Sequence, residues 1–255
     1  MAASMRWSTL VVDADAPADV LLAESPDVVL PTASVAKILV LTALAEALES
    51  GAVDTAEVLS RGSTPQVGDS GLWHRMTADA LPVGDLAVLV GSVSDNWATN
   101  VLVERLGLEV VQAIAPREGL ASTQLWDVVR DERGPQDPPT LSTGTAAEWV
   151  DVLVRLHRGV WGSAAVSTRL LGWLAGGADH SMVAGAFGLD PLVVPDGAFR
   201  VVSKTGTDDG VRCDVGLVHG PSRTAAYAVL ASGGEPDDVL ARMREIGARI
   251  RAWVA

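Results

Sequence analysis

The stretch PTASVAKILVLTALAEALESG, residues 31–51, runs from Pro31-Thr32-Ala33 through an Ala- and Leu-rich segment with no internal Gly or Pro and stops at Gly51. That pattern predicts a helix from Ser34 to about Ser50, closed by a glycine C-cap. Ser34 and Lys37 are three residues apart, so a helix places them on one face about one turn from each other. At a helix start the positive end of the dipole disfavours a protonated lysine and favours negative charge on the serine oxygen, both of which help a nucleophile.

Outward from this segment, residue scarcity becomes the guide. The 255 residues hold two lysines, Lys37 and Lys204, against seventeen arginines, and two asparagines, Asn96 and Asn100. Lysine differs from arginine in that its pKa can be lowered far enough to lose the proton. Lys37 ends Ser34-Val35-Ala36-Lys37, Asn96 ends Ser94-Asp95-Asn96, and Lys204 opens Lys204-Thr205-Gly206. From ordinary residue frequencies the joint occurrence has odds on the order of one in a million.

Composition bounds the rest. A 48% hydrophobic content is ample for a sizeable core in one large domain or two lobes. A net charge of −13 argues against nucleic acid or an anionic membrane as partner and leaves a small-molecule substrate. The single cysteine, Cys213, excludes an internal disulfide and reads as a small buried hydrophobe. His74, His157, His180 and His219 are scattered, with no H-E-x-x-H, so no metal or cofactor is expected. No G-x-S-x-G, G-x-G-x-x-G or Walker loop occurs. The first residues, Met1 to Trp7, lack the apolar run of a signal peptide, so the chain as written reads as unexported, or as secreted or periplasmic if a leader has been removed.

Residues 7–13 and 20–24 read as strands, residues 54–190 as mostly helical, and the last sixty residues as strands at 200–204, 211–218 and 224–231 followed by a helix over 237–254. Val83 to Val93 and Ala98 to Leu106 are helical in spacing, which leaves Ser94-Asp95-Asn96 at the break between them. Asp127 to Thr143, dense in charge and proline, reads as an ordered surface loop. Strands at both termini with helices between predict an α/β (α+β) architecture: an antiparallel sheet built from both chain ends (1–33 and 196–255) and flanked by helices, plus an all-helical lobe (34–195), with the site between them.

The three motifs are the S-x-x-K, S-D-N and K-T-G set found in class A β-lactamases and penicillin-binding proteins. The chain resembles a class A β-lactamase over nearly its whole length, in the order and approximate separation of its segments. The resemblance implies Ser34 as the acylated nucleophile, Lys37 as its proton partner, Ser94 as proton relay to the leaving nitrogen and Lys204 as electrostatic anchor. It further implies that Asn96 holds Lys37 and the substrate amide, that Thr205 and Gly206 shape an edge strand for an extended acyl chain, and that the backbone amides of Ser34 and Thr207 form the oxyanion hole. Arg212, two residues before Asp214, matches a position where an arginine binds the substrate carboxylate. Trp73 falls where the family often has an aromatic at the cleft rim, and a core role is an equal expectation.

In the family a glutamate in an R-x-E segment, followed four residues on by asparagine, releases the acyl group. Here Arg130-Asp131-Glu132 is followed by Gln136, in a shortened loop. Glu132 is the candidate deacylation base, and Asn100 matches an asparagine that braces this loop. The implied activity is hydrolysis of β-lactam amide bonds through an acyl-enzyme on Ser34, by a monomer. The alternatives are an intracellular esterase or amidase, a penicillin-binding DD-peptidase-like enzyme with weak deacylation, and a non-catalytic relic that only binds a ligand.

Overall fold

A computed structural model describes residues 5–62, 64–193 and 197–255. The expected lobe boundary at 195/196 and the first four residues lie outside the described residues. Five antiparallel strands form the main sheet: β1 (Arg6–Asp13), β2 (Val20–Glu24), β3 (Arg200–Asp208), β4 (Val211–His219) and β5 (Thr224–Ser232), in the order β2-β1-β5-β4-β3. Both chain ends therefore meet in one sheet, through Arg6↔Ser232 to Asp13↔Ala225. β3 closes at the Asp209–Gly210 turn and stands at the sheet edge, with Lys204 opposite Val215 and Thr207 opposite Arg212.

Side-chain alternation divides the core. Along β5, Ala225, Tyr227, Val229 and Ala231 join one apolar cluster, while Ala226, Ala228 and Leu230 join the other. The first cluster is covered by the C-terminal helix α6 (Pro236–Val254), which buries Val239, Met243, Ile246 and Ile250 at spacings of three and four. The second is covered by α4 (Ala146–His157), whose Thr145 N-cap side chain accepts from the Glu148 amide. Beyond α4 the same cluster continues through α1 (Lys37–Glu49), α2 (Val83–Val93), α3 (Asn96–Leu106) and α5 (Ala164–Leu174). Helix α1 is buried on every side from Lys37 to Ala45, which is why its sequence shows little polar face.

The expectation that 54–190 is mostly helical does not hold: fewer than half of its described residues are in helices. Residues 61–62 and 64–79 are irregular apart from a single 3₁₀ turn, Trp73–Arg75, and short strand pairs occur at Val58–Ser60 with Ala80–Pro82 and at Gln124–Leu125 with Ser142–Gly144. The irregular stretch is ordered by side chains that periodicity does not report. The Arg61 guanidinium lies over the rings of Trp97 (4.6 Å) and Trp73 (5.7 Å) and donates to the carbonyls of Trp73 and Met76. Trp73 is fully buried in this packing, so it belongs to the core and not to a rim. Among the described residues no helix is long and apolar enough to cross a membrane.

Candidate active site

The expected single helix from Ser34 is two elements: a 3₁₀ turn, Ala33–Ala36, feeding α1 at Lys37. Ala33 takes φ +46°, a conformation that costs a non-glycine residue about 1–3 kcal/mol and has to be imposed by its surroundings. A buried pair imposes it. The Ser142 hydroxyl donates to the Ala33 carbonyl (2.8 Å), so its oxygen accepts from the Thr32 hydroxyl (2.8 Å), and the Thr32 amide donates to the Ser142 carbonyl (3.2 Å). From the other side β3 presses on the same turn. A Cβ on Gly206 would lie 2.3 Å from the Thr32 carbonyl oxygen, so only glycine lets the edge strand come this close.

Lys37 is completely buried. Its Nζ donates to the Ser94 carbonyl (2.6 Å), to Ser94 Oγ (3.1 Å) and to Asn96 Oδ1 (2.6 Å). Burial, chiefly, and then the charge of Lys204 hold its pKa well below the ordinary lysine value, against a smaller opposing pull from Asp95 and Asp69. Ser94 presents both oxygens to the amine because it caps α2 in the left-handed conformation, φ 55° and ψ 37°.

Between Ser94 and Asn96, the Asp95 carboxylate organises the backbone. One oxygen accepts from the Ala98 amide (2.9 Å) and so caps α3; the other accepts from the amides of Leu72 and Trp73 (2.7 Å each). Asp95 thus ties residues 70–73 to the break between the two helices, and the Asn96 amide completes the tie by donating to the Ser70 carbonyl (3.1 Å).

These elements enclose a cavity of about 450 Å³ lined by Ser34, Ser94, Asn96, Lys204, Thr205 and Thr207 together with Asp69, Asp179, Arg130 and Arg133. Six of the ten residues singled out in the sequence therefore share one space. Lys37 lies behind it, reaching it through Ser94 and Asn96, and Gly206 forms the contact with the Thr32 turn. Lys204 is 3% exposed and donates to the Thr205 carbonyl (2.9 Å). Burial lowers its pKa to about 8, with Asp179 and Asp214 opposing the shift. Asp214 sits one strand away, opposite Thr205, accepting from Tyr227 Oη (2.9 Å) and the Val183 amide (3.0 Å). Its complete burial outweighs those bonds and raises its pKa to about 7. Cys213 is buried beside it with its thiol pushed up to about 12 by burial, an inert core group.

Two expected site residues lie elsewhere. Asn100 braces the charged loop as expected, its amide donating to the Val129 carbonyl and accepting from the Val129 amide (2.8 Å each). Asp127 then gathers Arg130 (2.7 Å) and Arg133 (2.9 Å), and these two arginines reach the wall of the cavity. The exposed Glu132 does not: it lines a separate cavity of about 550 Å³ on the other side of Val129 and Arg130, with Thr64, Val103 and Leu108. Arg212 is also outside the first cavity, because its guanidinium donates to the carbonyls of Asp208 (2.9 Å) and Val211 (2.8 Å) at the β3–β4 turn.

Several residues of the site escape sequence reasoning. Ser142, Asp179 and Arg133 belong to no motif, and their distance along the chain from Ser34 gives no signal. Asp95 could have been found, since an aspartate two residues before Trp97-Ala98 at a helix start is an N-cap signature.

A family model described as "Beta-lactamase enzyme family" matches residues 2–254. Among solved structures, the β-lactamase from Sphaerobacter thermophilus DSM 20745 superposes with a TM-score of 0.84 at 21% identity, covering 97% of this chain and 90% of that one. PBP-A gives 0.82 at 20% identity, covering 98% and 89%. The class A β-lactamase from Mycobacterium abscessus gives 0.80 at 19%, covering 98% and 94%. No curated protein matches.

Proposed function

Because the chain belongs to the beta-lactamase enzyme family, we propose that it is a serine hydrolase that takes an acyl group from a β-lactam, ester or peptide-like amide onto Ser34 Oγ, in a cleft between a sheet lobe (1–33 with 196–255) and a helical lobe (34–195). The observation that carries this reading is the environment of Lys37. Three oxygens surround its Nζ, matching the three N–H bonds of an ammonium. When burial strips one proton, the Ser94 carbonyl and Asn96 Oδ1 still take the two remaining N–H bonds, and the lone pair is left for a hydroxyl.

As Ser34 Oγ attacks the substrate carbonyl carbon, its proton passes to Lys37 Nζ. The backbone amides of Ser34 and Thr207 receive the oxyanion. Collapse breaks the bond to the leaving nitrogen or oxygen, which takes a proton through Ser94 Oγ, and Lys204 stabilises negative charge along the β3 wall. Water then attacks the Ser34 ester, releases the acid and restores the hydroxyl.

The exposed position of Glu132 at the second cavity supports slow release from β-lactams, which favours the penicillin-binding alternative for these substrates over rapid β-lactam turnover. Intact-protein mass spectrometry tests both parts. Benzylpenicillin should add its mass to the wild type within minutes and leave Ser34→Ala unmodified; an adduct on Ser34→Ala, or none on the wild type, overturns the proposal. Glu132→Gln should leave the adduct lifetime unchanged. A markedly longer lifetime would restore Glu132 as the base for deacylation.

A further inference from the structure

The peptide unit that joins Ala33 to Ser34 is held at its carbonyl and open at its amide. The carbonyl accepts from the buried Ser142 hydroxyl (2.8 Å), which accepts in turn from the buried Thr32 hydroxyl (2.8 Å). The Ser34 N–H has no hydrogen-bond acceptor among the described residues, and Ala33 and Ser34 both line the cavity.

A trans peptide is planar, so its C=O and N–H point in opposite directions. Fixing the carbonyl oxygen on Ser142 therefore fixes the direction of the Ser34 N–H. Donation from two hydroxyls in series also polarises the unit, since hydrogen bonds in a chain strengthen one another, and the N–H becomes the better donor. The φ of +46° at Ala33 is a conformation that the same peptide would leave without that grip. Ser142 does not itself line the cavity, so it acts on a substrate only through the peptide it holds.

Resting on the proposed acylation of Ser34, with the amides of Ser34 and Thr207 receiving the oxyanion, we propose that Ser142 is a positioning residue for the oxyanion hole: its hydroxyl, backed by that of Thr32, aims and polarises the Ser34 N–H. Such a donor acts in the transition state, where the oxygen carries negative charge, and little in the substrate complex.

Benzylpenicillin acylation followed by stopped flow separates the two states. Ser142→Ala should lower the limiting acylation rate about tenfold, less than the loss of a whole oxyanion donor, and leave the half-saturating concentration unchanged. The acid limb of its pH profile, set by Lys37, should stay where it is. Thr32→Val, which keeps the volume but not the hydroxyl, should act in the same direction to a smaller extent, and Thr32→Ser should behave as the wild type. In the infrared spectrum of the acyl-enzyme, the ester carbonyl band should move to higher wavenumber in Ser142→Ala, because its oxygen meets a weaker donor. A wild-type acylation rate in Ser142→Ala, or in Thr32→Val where the former does not fold, overturns the proposal, as does a loss found entirely in the half-saturating concentration with the carbonyl band unmoved. If the wild type takes no adduct at all, it is the acylation reading that fails. The grip of Ser142 is then read on the resting protein from the nitrogen resonance of the Ser34 amide, which should move upfield in Ser142→Ala and stay in place in Thr32→Ser; an unmoved resonance in Ser142→Ala would sink the role of Ser142.

Discussion

At the scale of single residues, the proposed acylation gives the two lysines opposite tasks set by the same physical cause. Both are buried and both lose basicity, but Lys37 is useful when neutral and Lys204 when charged. Lys37 has its folded pKa depressed, so acylation should fall as pH drops through that value and the amine protonates. Lys204, near 8, loses its charge as pH rises, so kcat/KM should decline above about pH 8. Lys204→Arg keeps the charge and should remove the alkaline decline, while Lys204→Ala removes a charge that depresses Lys37 and should move the acid limb to higher pH. Stopped-flow acylation rates across pH 5–10 check both shifts. Substituting Lys37 by Ala should slow acylation by ~10²–10⁴-fold, the range for loss of a positioned base.

At the scale of elements, the site depends on junctions more than on helices or strands. The Asp95 carboxylate, 1% exposed, serves the α2–α3 break and the 70–73 backbone at once. Asp95→Ala should therefore cost about 3 kcal/mol, the sum of a lost N-cap and two amides left without their acceptor, read as a lowered urea midpoint with an unchanged slope. The Gly206 contact is the equivalent junction for β3. Gly206→Ala must push the strand from the Thr32 carbonyl, so penicillin acylation should fall while the far-UV spectrum stays the same. Helix and strand spacing gave α2, α3, α6 and the five sheet strands to within a few residues. The irregular 64–79 stretch gave no such spacing, because Arg61 and two tryptophans order it through contacts between distant positions.

For the whole molecule, Asp214 links the core to pH. Its folded pKa of about 7 lies above that of an unfolded aspartate, so its contribution to stability is fully present below about pH 4 and is lost as pH rises through 7. Asp214→Asn should flatten the fall in Tm between pH 4 and 8, measured by calorimetry; a slope as steep as that of the wild type would mean other groups govern it. The two apolar clusters on opposite faces of the sheet make this buried carboxylate costly, since neither face offers it water.

The sequence by itself determined the motif set, the strands at both ends and the buried helix that starts near Ser34, because rarity, periodicity and helix-stop signals act within short windows. It also anticipated that Ser34, Ser94, Asn96 and Lys204 would share a cavity and that Asn100 would brace the charged loop. Only the tertiary structure decided that Glu132 faces a different cavity, that Arg212 is bonded at its own turn, and that Asp179 stands beside Lys204. The direction of a loop side chain is fixed by which distant groups satisfy its neighbours, here Asn100 holding Val129 and Asp127 holding Arg130 and Arg133, and hydrogen-bond partners brought together by folding leave no periodic trace in the chain.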